Sequence, residues 1–159
     1  LEARLRAAER CQRWGYPLAF HFDPMVIYNG CESEYEAVVD KLFDAVDGSQ
    51  IVWISLGSFR FMPALKSIVQ QRFPETKIIY GEFVPGLDGK MRYFQPLRTA
   101  LYQRVAERIR KHDPNVLVYF CMEDRSVWEK ALGVVPHGDE GLAKMLDDSA
   151  RCHCNLRIS

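Results

Sequence analysis

A chain of 159 residues is the length of one domain and is long enough to bury a core without disulfides or metals. Apolar residues make up 48% of it and aromatics 12%, which excludes a disordered chain, and no apolar run is long enough to span a bilayer. Lys plus Arg equal Asp plus Glu at 21 each, so no overall positive field marks a nucleic-acid binder, although a local basic loop on a neutral body would suffice.

Leu1 to Trp14 carries Leu1, Leu5, Ala8 and Cys11 at helical spacing and predicts a helix stopped by Gly15 and Pro17. Leu18 to Phe22 reads as a short strand running into His21-Phe22-Asp23-Pro24. Glu32 to Val46 is an amphipathic helix through Tyr35, Val38, Val39, Leu42, Phe43 and Val46. Ile51 to Leu56 is a buried strand closed by Gly57. Pro63 opens a helix that turns Leu65, Ile68 and Val69 inward. Lys77 to Val84 and Lys90 to Phe94 are expected to pair as a hairpin around Pro85-Gly86-Leu87-Asp88-Gly89. Pro96 then starts a long helix to about His112 carrying Leu97, Leu101, Val105 and Ile109. A strand over Asn115 to Cys121, a helix from the Asp124 cap through Leu132 and a short helix over Asp139 to Ala150 complete the pattern.

Strands alternating with helices imply βαβ units and parallel pairing. Three principal strands are too few to close a barrel, so the expected fold is α/β: a partial (β/α) barrel fragment with an inserted hairpin, over residues 1–150. Residues 151–159 are expected to be a flexible tail, and the start at Leu1, inside a ready-made helix, is expected of a piece of a longer protein. The exposed strand edge of such a fragment invites dimerisation. Five scattered cysteines without an export leader (Cys11, Cys31, Cys121, Cys152 and Cys154) fit free thiols in a reducing cytoplasm.

In this architecture functional groups gather at the carboxyl ends of the strands. His21 and Asp23, two apart, share one face of the first strand. They line a ligand pocket or cap the next loop as a satisfied pair. After the second strand, Ser55, Gly57, Ser58 and Arg60 offer polar groups, a close backbone approach and a cation for phosphate or carboxylate; ordinary turn chemistry with a surface ion pair is the alternative. Glu123 follows the last strand. Lys90, Arg92 and Tyr93 set cations beside an aromatic ring, a mixture nucleic-acid sites use and edge hairpins also carry. Cys152-His153-Cys154 lacks a second ligand pair, so no metal site is expected, and no complete active site is present.

The ordered segments GYPLAFHFDPMVIYNGCESEYEAVVDKLF, WISLGSFRF, IVQQRFPETK, GEFVPGLDGKMRYFQPLR and VYFCMED resemble the C-terminal region of the spore photoproduct lyase family, over about residues 1–133. The resemblance implies a radical S-adenosylmethionine parent. Its N-terminal half would hold a [4Fe–4S] cluster, and a 5′-deoxyadenosyl radical would reverse a thymine photoproduct in DNA. It places His21, Asp23, Ser55, Ser58, Arg60 and Glu123 near the adenosyl and lesion pocket, and Lys90, Arg92 and Tyr93 against DNA. On their own these residues would be inactive. Asp23 stands where bacillar members tend to have a small residue, which keeps two other readings open: a radical enzyme with a non-DNA substrate, and a stand-alone nucleic-acid or partner-binding module.

Overall fold

The computed structural model describes residues 1–154. In chain order the elements are α1 (Glu2–Arg13), β1 (Leu18–Met25), α2 (Cys31–Ala45), β2 (Ile51–Ser58), β3 (Arg60–Phe61) and α3 (Leu65–Arg72). Then follow β4 (Phe83–Pro85), β5 (Met91–Tyr93), α4 (Gln95–His112), β6 (Leu117–Phe120), α5 (Arg125–Leu132) and α6 (Gly138–Cys154). The chain is mixed α/β. β1, β2 and β6 form a parallel sheet in the order β1-β2-β6, and β3, β5 and β4 form a small antiparallel sheet in the order β3-β5-β4.

The period of two in the strands sorts the parallel sheet into two faces. Phe22, Leu56 and Phe120 stand side by side across the three strands, with Ile54 beside Phe20 and Val118 one layer below. These apolar rows join one core with Val39 and Leu42 of α2 and with Leu101, Tyr102, Val105 and Ile109 of α4. On the other face His21, Ser55 and Tyr119 share a row.

α1 packs on α2, α2 on α4 and α4 on α5, a helical layer over the apolar face. Its outer surface is laced by ion pairs between α2 and α4. Arg108 Nε and Nη2 donate to Asp40 at 2.5 and 2.6 Å, His112 Nε2 lies 2.7 Å from the same carboxylate, and Arg104 pairs with Glu36 at 3.1 Å. Asp124 caps α5, accepting from the Val127 N–H, and Gly133 ends that helix in the left-handed region at φ 72°. α6 packs on β2, where Ser149 Oγ donates to the Val52 carbonyl at 2.5 Å.

Several expectations need correction. Residues 77–82 form turns instead of the greater part of a strand, and β4 is only Phe83–Pro85. Ile79 is buried there while Tyr80 is exposed, so the apolar run IIY reads as a strand but packs through one side chain. α3 buries none of its residues: Leu65 and Ile68 are exposed, and so is Leu97 at the start of α4. Four residues of the expected tail are helical, since α6 continues to Cys154; positions 155–159 lie outside the described residues.

Candidate functional site

Two levels of side chains rise toward the carboxyl ends of the strands. At the lower level Ser55, 1% exposed, places Oγ 2.5 Å from Nδ1 of the exposed His21. At the upper level the Asp23 carboxylate lies flat on Gly57: a Cβ there would stand 2.7 Å from Asp23 Cγ, so only glycine leaves the space. Arg60, at the start of β3, reaches back to this group. Its Nη2 is 3.8 Å from Asp23 Oδ2, 4.0 Å from Cys121 Sγ and 3.6 Å from Met122 Sδ. Met122 holds a left-handed backbone at φ 61° and exposes its thioether beside Arg60.

Below this mouth lies a buried polar strut that sequence reasoning missed. Arg98 of α4 donates through Nε to both Glu123 oxygens, at 3.2 and 3.0 Å, and through Nη1 to the Tyr93 carbonyl at 2.7 Å. The two side chains are 6% and 5% exposed. Tyr102 donates to Glu123 Oε1 at 2.8 Å and accepts from the Ser58 N–H at 2.6 Å. Burial, reinforced by the Glu123 charge, pushes the Tyr102 hydroxyl far above its ordinary range, so it stays a donor. The strut ties β2, β5, α4 and the end of β6 together. Its signal was present in the sequence: Arg98 is in helical phase with Leu101, Tyr102 and Val105, a cation on an apolar stripe.

The small sheet also has two unlike faces. Phe61, Met91, Tyr93 and Phe83 share one, where Phe83 stacks on Tyr93 at 4.4 Å and meets Phe61 edge-on at 5.0 Å. Arg60 and Arg92 are direct cross-strand partners on the other. Asp88 receives both Arg92 Nη groups and lies 3.9 Å from Lys90 Nζ. The Arg92 bonds hold the Asp88 carboxyl far below the usual range, and Asp88 raises Arg92 in turn.

Of the residues singled out from sequence, Asp23 and Arg60 meet at the mouth, and His21 and Ser55 pair just below. Glu123 is spent within the buried strut, and Ser58 is 3% exposed with its N–H held by Tyr102. Tyr93 is not available to stack on a base: it is 1% exposed, and its hydroxyl accepts from the Ile27 N–H at 3.1 Å. Arg92 and Lys90 are present as cations but share the Asp88 counter-charge. Among the described residues no three His, Cys, Asp or Glu side chains converge to hold a metal, and no helix is long and apolar enough to cross a membrane.

The family model described as spore photoproduct lyase matches residues 1–117 of this chain. Spore photoproduct lyase of Bacillus subtilis (strain 168) is 31% identical over 80 residues, which take in 49% of this chain and 23% of that protein. The enzyme of Geobacillus sp. (strain Y412MC61) is 30% identical over 79 residues, with 48% and 23% covered. A solved cysteine-to-alanine variant of spore photoproduct lyase with dinucleoside spore photoproduct superposes with a TM-score of 0.67 at 26% identity, covering 76% of this chain and 38% of that one. A second solved structure, of spore photoproduct lyase complexed with dinucleoside spore photoproduct, gives 0.65 at 25% identity over the same shares. The chain thus spans 23% of the curated relatives it matches, and α5 and α6 lie past the range of the family model. By the extent of that match and the agreement of sequence and fold, the chain belongs to the spore photoproduct lyase family.

Proposed function

We propose that this chain is the C-terminal, substrate-side portion of a DNA-repair lyase in which a 5′-deoxyadenosyl radical reverses a thymine photoproduct. The observation that carries the reading is the cationic face of the small sheet. On a chain of zero net charge, Arg60, Arg92 and Lys90 gather on one face that begins at the strand-end mouth and leads outward. Phosphates fix a nucleic acid in register through such groups, while the lesion itself enters the mouth. Two solved relatives carry the dinucleoside spore photoproduct, which supports this substrate class. Extruding the lesion costs a few kcal/mol and is easiest where pairing is already damaged.

In this reading β1, β2 and β6 belong to a partial (β/α) barrel. Its other strands come from the N-terminal half of the same protein, against the β1 edge that β2 leaves unpaired. That edge is also where isolated copies would dimerise. The parent works in the cytoplasm with S-adenosylmethionine and a [4Fe–4S] cluster. The cluster needs several convergent thiolates, and the cysteines of this chain do not fit it. Cys31 is buried at the start of α2, Cys11 lies on α1, Cys121 follows β6, and no metal-holding group forms among the described residues. No step is therefore assigned to the cluster here. The residues of this chain bind and orient: Arg60 draws a phosphate or carbonyl oxygen, Asp23 and His21 accept or donate at the mouth, and the Arg98–Glu123–Tyr102 strut keeps that mouth rigid.

One observation favours a second reading. The Asp23 carboxylate, 29% exposed at the mouth, is an acceptor suited to sugar hydroxyls, as a radical enzyme with a non-DNA substrate would use. The test is turnover in the full-length parent. Arg60→Ala is expected to cut photoproduct reversal in an oligonucleotide by about tenfold or more, with S-adenosylmethionine cleavage retained. Reversal at the normal rate in that variant would remove the substrate role given to this face.

A further inference from the structure

The aromatic face of the small sheet carries a second recess that neither the mouth nor the buried strut uses. It is a groove of about 480 Å³ between α3 and the sheet, lined among others by Phe61, Lys66, Tyr80, Gly81, Phe83 and Met91. Among the described residues, Lys66 is the only charged one on its wall. Gly81 shapes the recess: a Cβ there would stand 2.8 Å from the Tyr93 ring and 3.1 Å from that of Phe83, so glycine lets residues 79–83 lie close on the aromatics. Ile79 is thereby buried at 2% exposure while Tyr80, its neighbour, is 57% exposed. The Tyr80 ring is not a loose surface aromatic. Gln70 Nε2 donates to its hydroxyl at 2.8 Å, and Lys66 Nζ, one turn earlier on α3, sits 5.7 Å from its centroid.

We propose that this groove is a second nucleotide subsite, which takes one unpaired nucleotide flanking the lesion, with its base on Tyr80 and its phosphate on Lys66. The proposal rests on the reading that the mouth takes damaged DNA. A held, exposed ring with one adjacent cation and no carboxylate on the wall is complementary to a flat apolar base joined to an anion. The ammonium now over the ring is mobile on its four-carbon stem, and a phosphate would draw it aside while the ring takes the base. The groove adjoins the mouth through the ladder itself. Phe61 and Met91, on its wall, are the register pair next to Arg60 and Arg92. A strand that leaves the cationic face would reach the groove by passing the edge of the small sheet.

Binding of two probes to the full-length parent tests the proposal: the dinucleoside spore photoproduct, which has no flank, and a single-stranded hexanucleotide containing it. Tyr80→Ala should weaken the hexanucleotide roughly tenfold and leave the dinucleoside unchanged, whereas Tyr80→Phe keeps the ring and most of the affinity. Lys66→Ala should lower the salt slope for the hexanucleotide by about one phosphate contact. If Tyr80→Ala binds both probes like the parent while Arg60→Ala weakens both, the subsite is refuted and the DNA reading stands. An equal loss for both probes in Tyr80→Ala would place its effect in the fold and refute the subsite as well. If the unaltered full-length protein binds neither probe, the DNA reading falls and takes the subsite with it.

Discussion

Arg60 and Arg92 stand directly opposite each other on β3 and β5, and each has its own carboxylate. Asp23 Oδ2 is 3.8 Å from Arg60 Nη2, and Asp88 takes a forked bond from Arg92. Like charges at opposed positions repel, so the two acids are what let the pair share one short ladder. A polyanion would do the same work. Asp88→Ala is therefore expected to raise the affinity for single-stranded DNA and to steepen its salt dependence, with little change in melting temperature. Weaker binding in Asp88→Ala would show that Arg92 needs Asp88 to be positioned.

The buried strut predicts stability effects that do not depend on substrate. Arg98→Ala leaves the Glu123 side chain 5% exposed with one partner fewer, and should cost about 3–5 kcal/mol. Tyr102→Phe removes a donor to Glu123 and the acceptor of the Ser58 N–H, for about 1–3 kcal/mol. Denaturant unfolding measures both. A loss below about 1 kcal/mol in Arg98→Ala would mean that water reaches Glu123.

Gly57 and Asp23 form a steric couple. Gly57→Ala puts a methyl within 2.7 Å of Asp23 Cγ and must displace the carboxylate, with it the contact to Arg60. The expected loss of stability is about 1–3 kcal/mol. Asp23→Ala should relieve most of it, so the double variant is more stable than the sum of the singles predicts. Additive losses in that cycle would place the cost in the β2 backbone instead.

Much of this arrangement was legible from residue order. The spacing of Leu101, Val105 and Ile109 and the apolar runs at Ile51 and Leu117 specify α4, β2 and β6, because a buried face demands periodicity. The rule that strand ends carry function singled out Asp23 and Arg60, which the fold sets 3.8 Å apart. The region from Pro63 to Glu82 was read less well. Its apolar residues look like a buried helix face and a strand, yet α3 exposes Leu65 and Ile68, and Tyr80 points outward. Periodicity reports that a face is apolar and does not say what covers it. Tyr93 failed for a related reason: a tyrosine in a basic hairpin suggests a stacking ring, while its partner, the Ile27 N–H, is 66 residues away in the chain.

The α2–α4 surface gives a pH prediction. Bonds from Arg108, then from His112, lower the Asp40 carboxyl to about 2. Its folded pKa is depressed, so its contribution is fully present above the unfolded value of about 3.9 and is lost as pH falls toward 2. Thermal melts should show Asp40→Asn less stable than the parent chain above pH 4, with the gap closing toward pH 2. A gap that stays constant across that range would mean that the ion pair is screened out in solution.

The central claim, that the Arg60–Arg92 face is a phosphate track, is tested most directly by the salt dependence of binding to photoproduct-containing DNA. Logarithmic plots of affinity against salt for the intact chain and for the Arg60→Ala/Arg92→Ala double variant should differ in slope by about two phosphate contacts, the variant being the shallower. Equal slopes, with the variant still folded, would contradict the account.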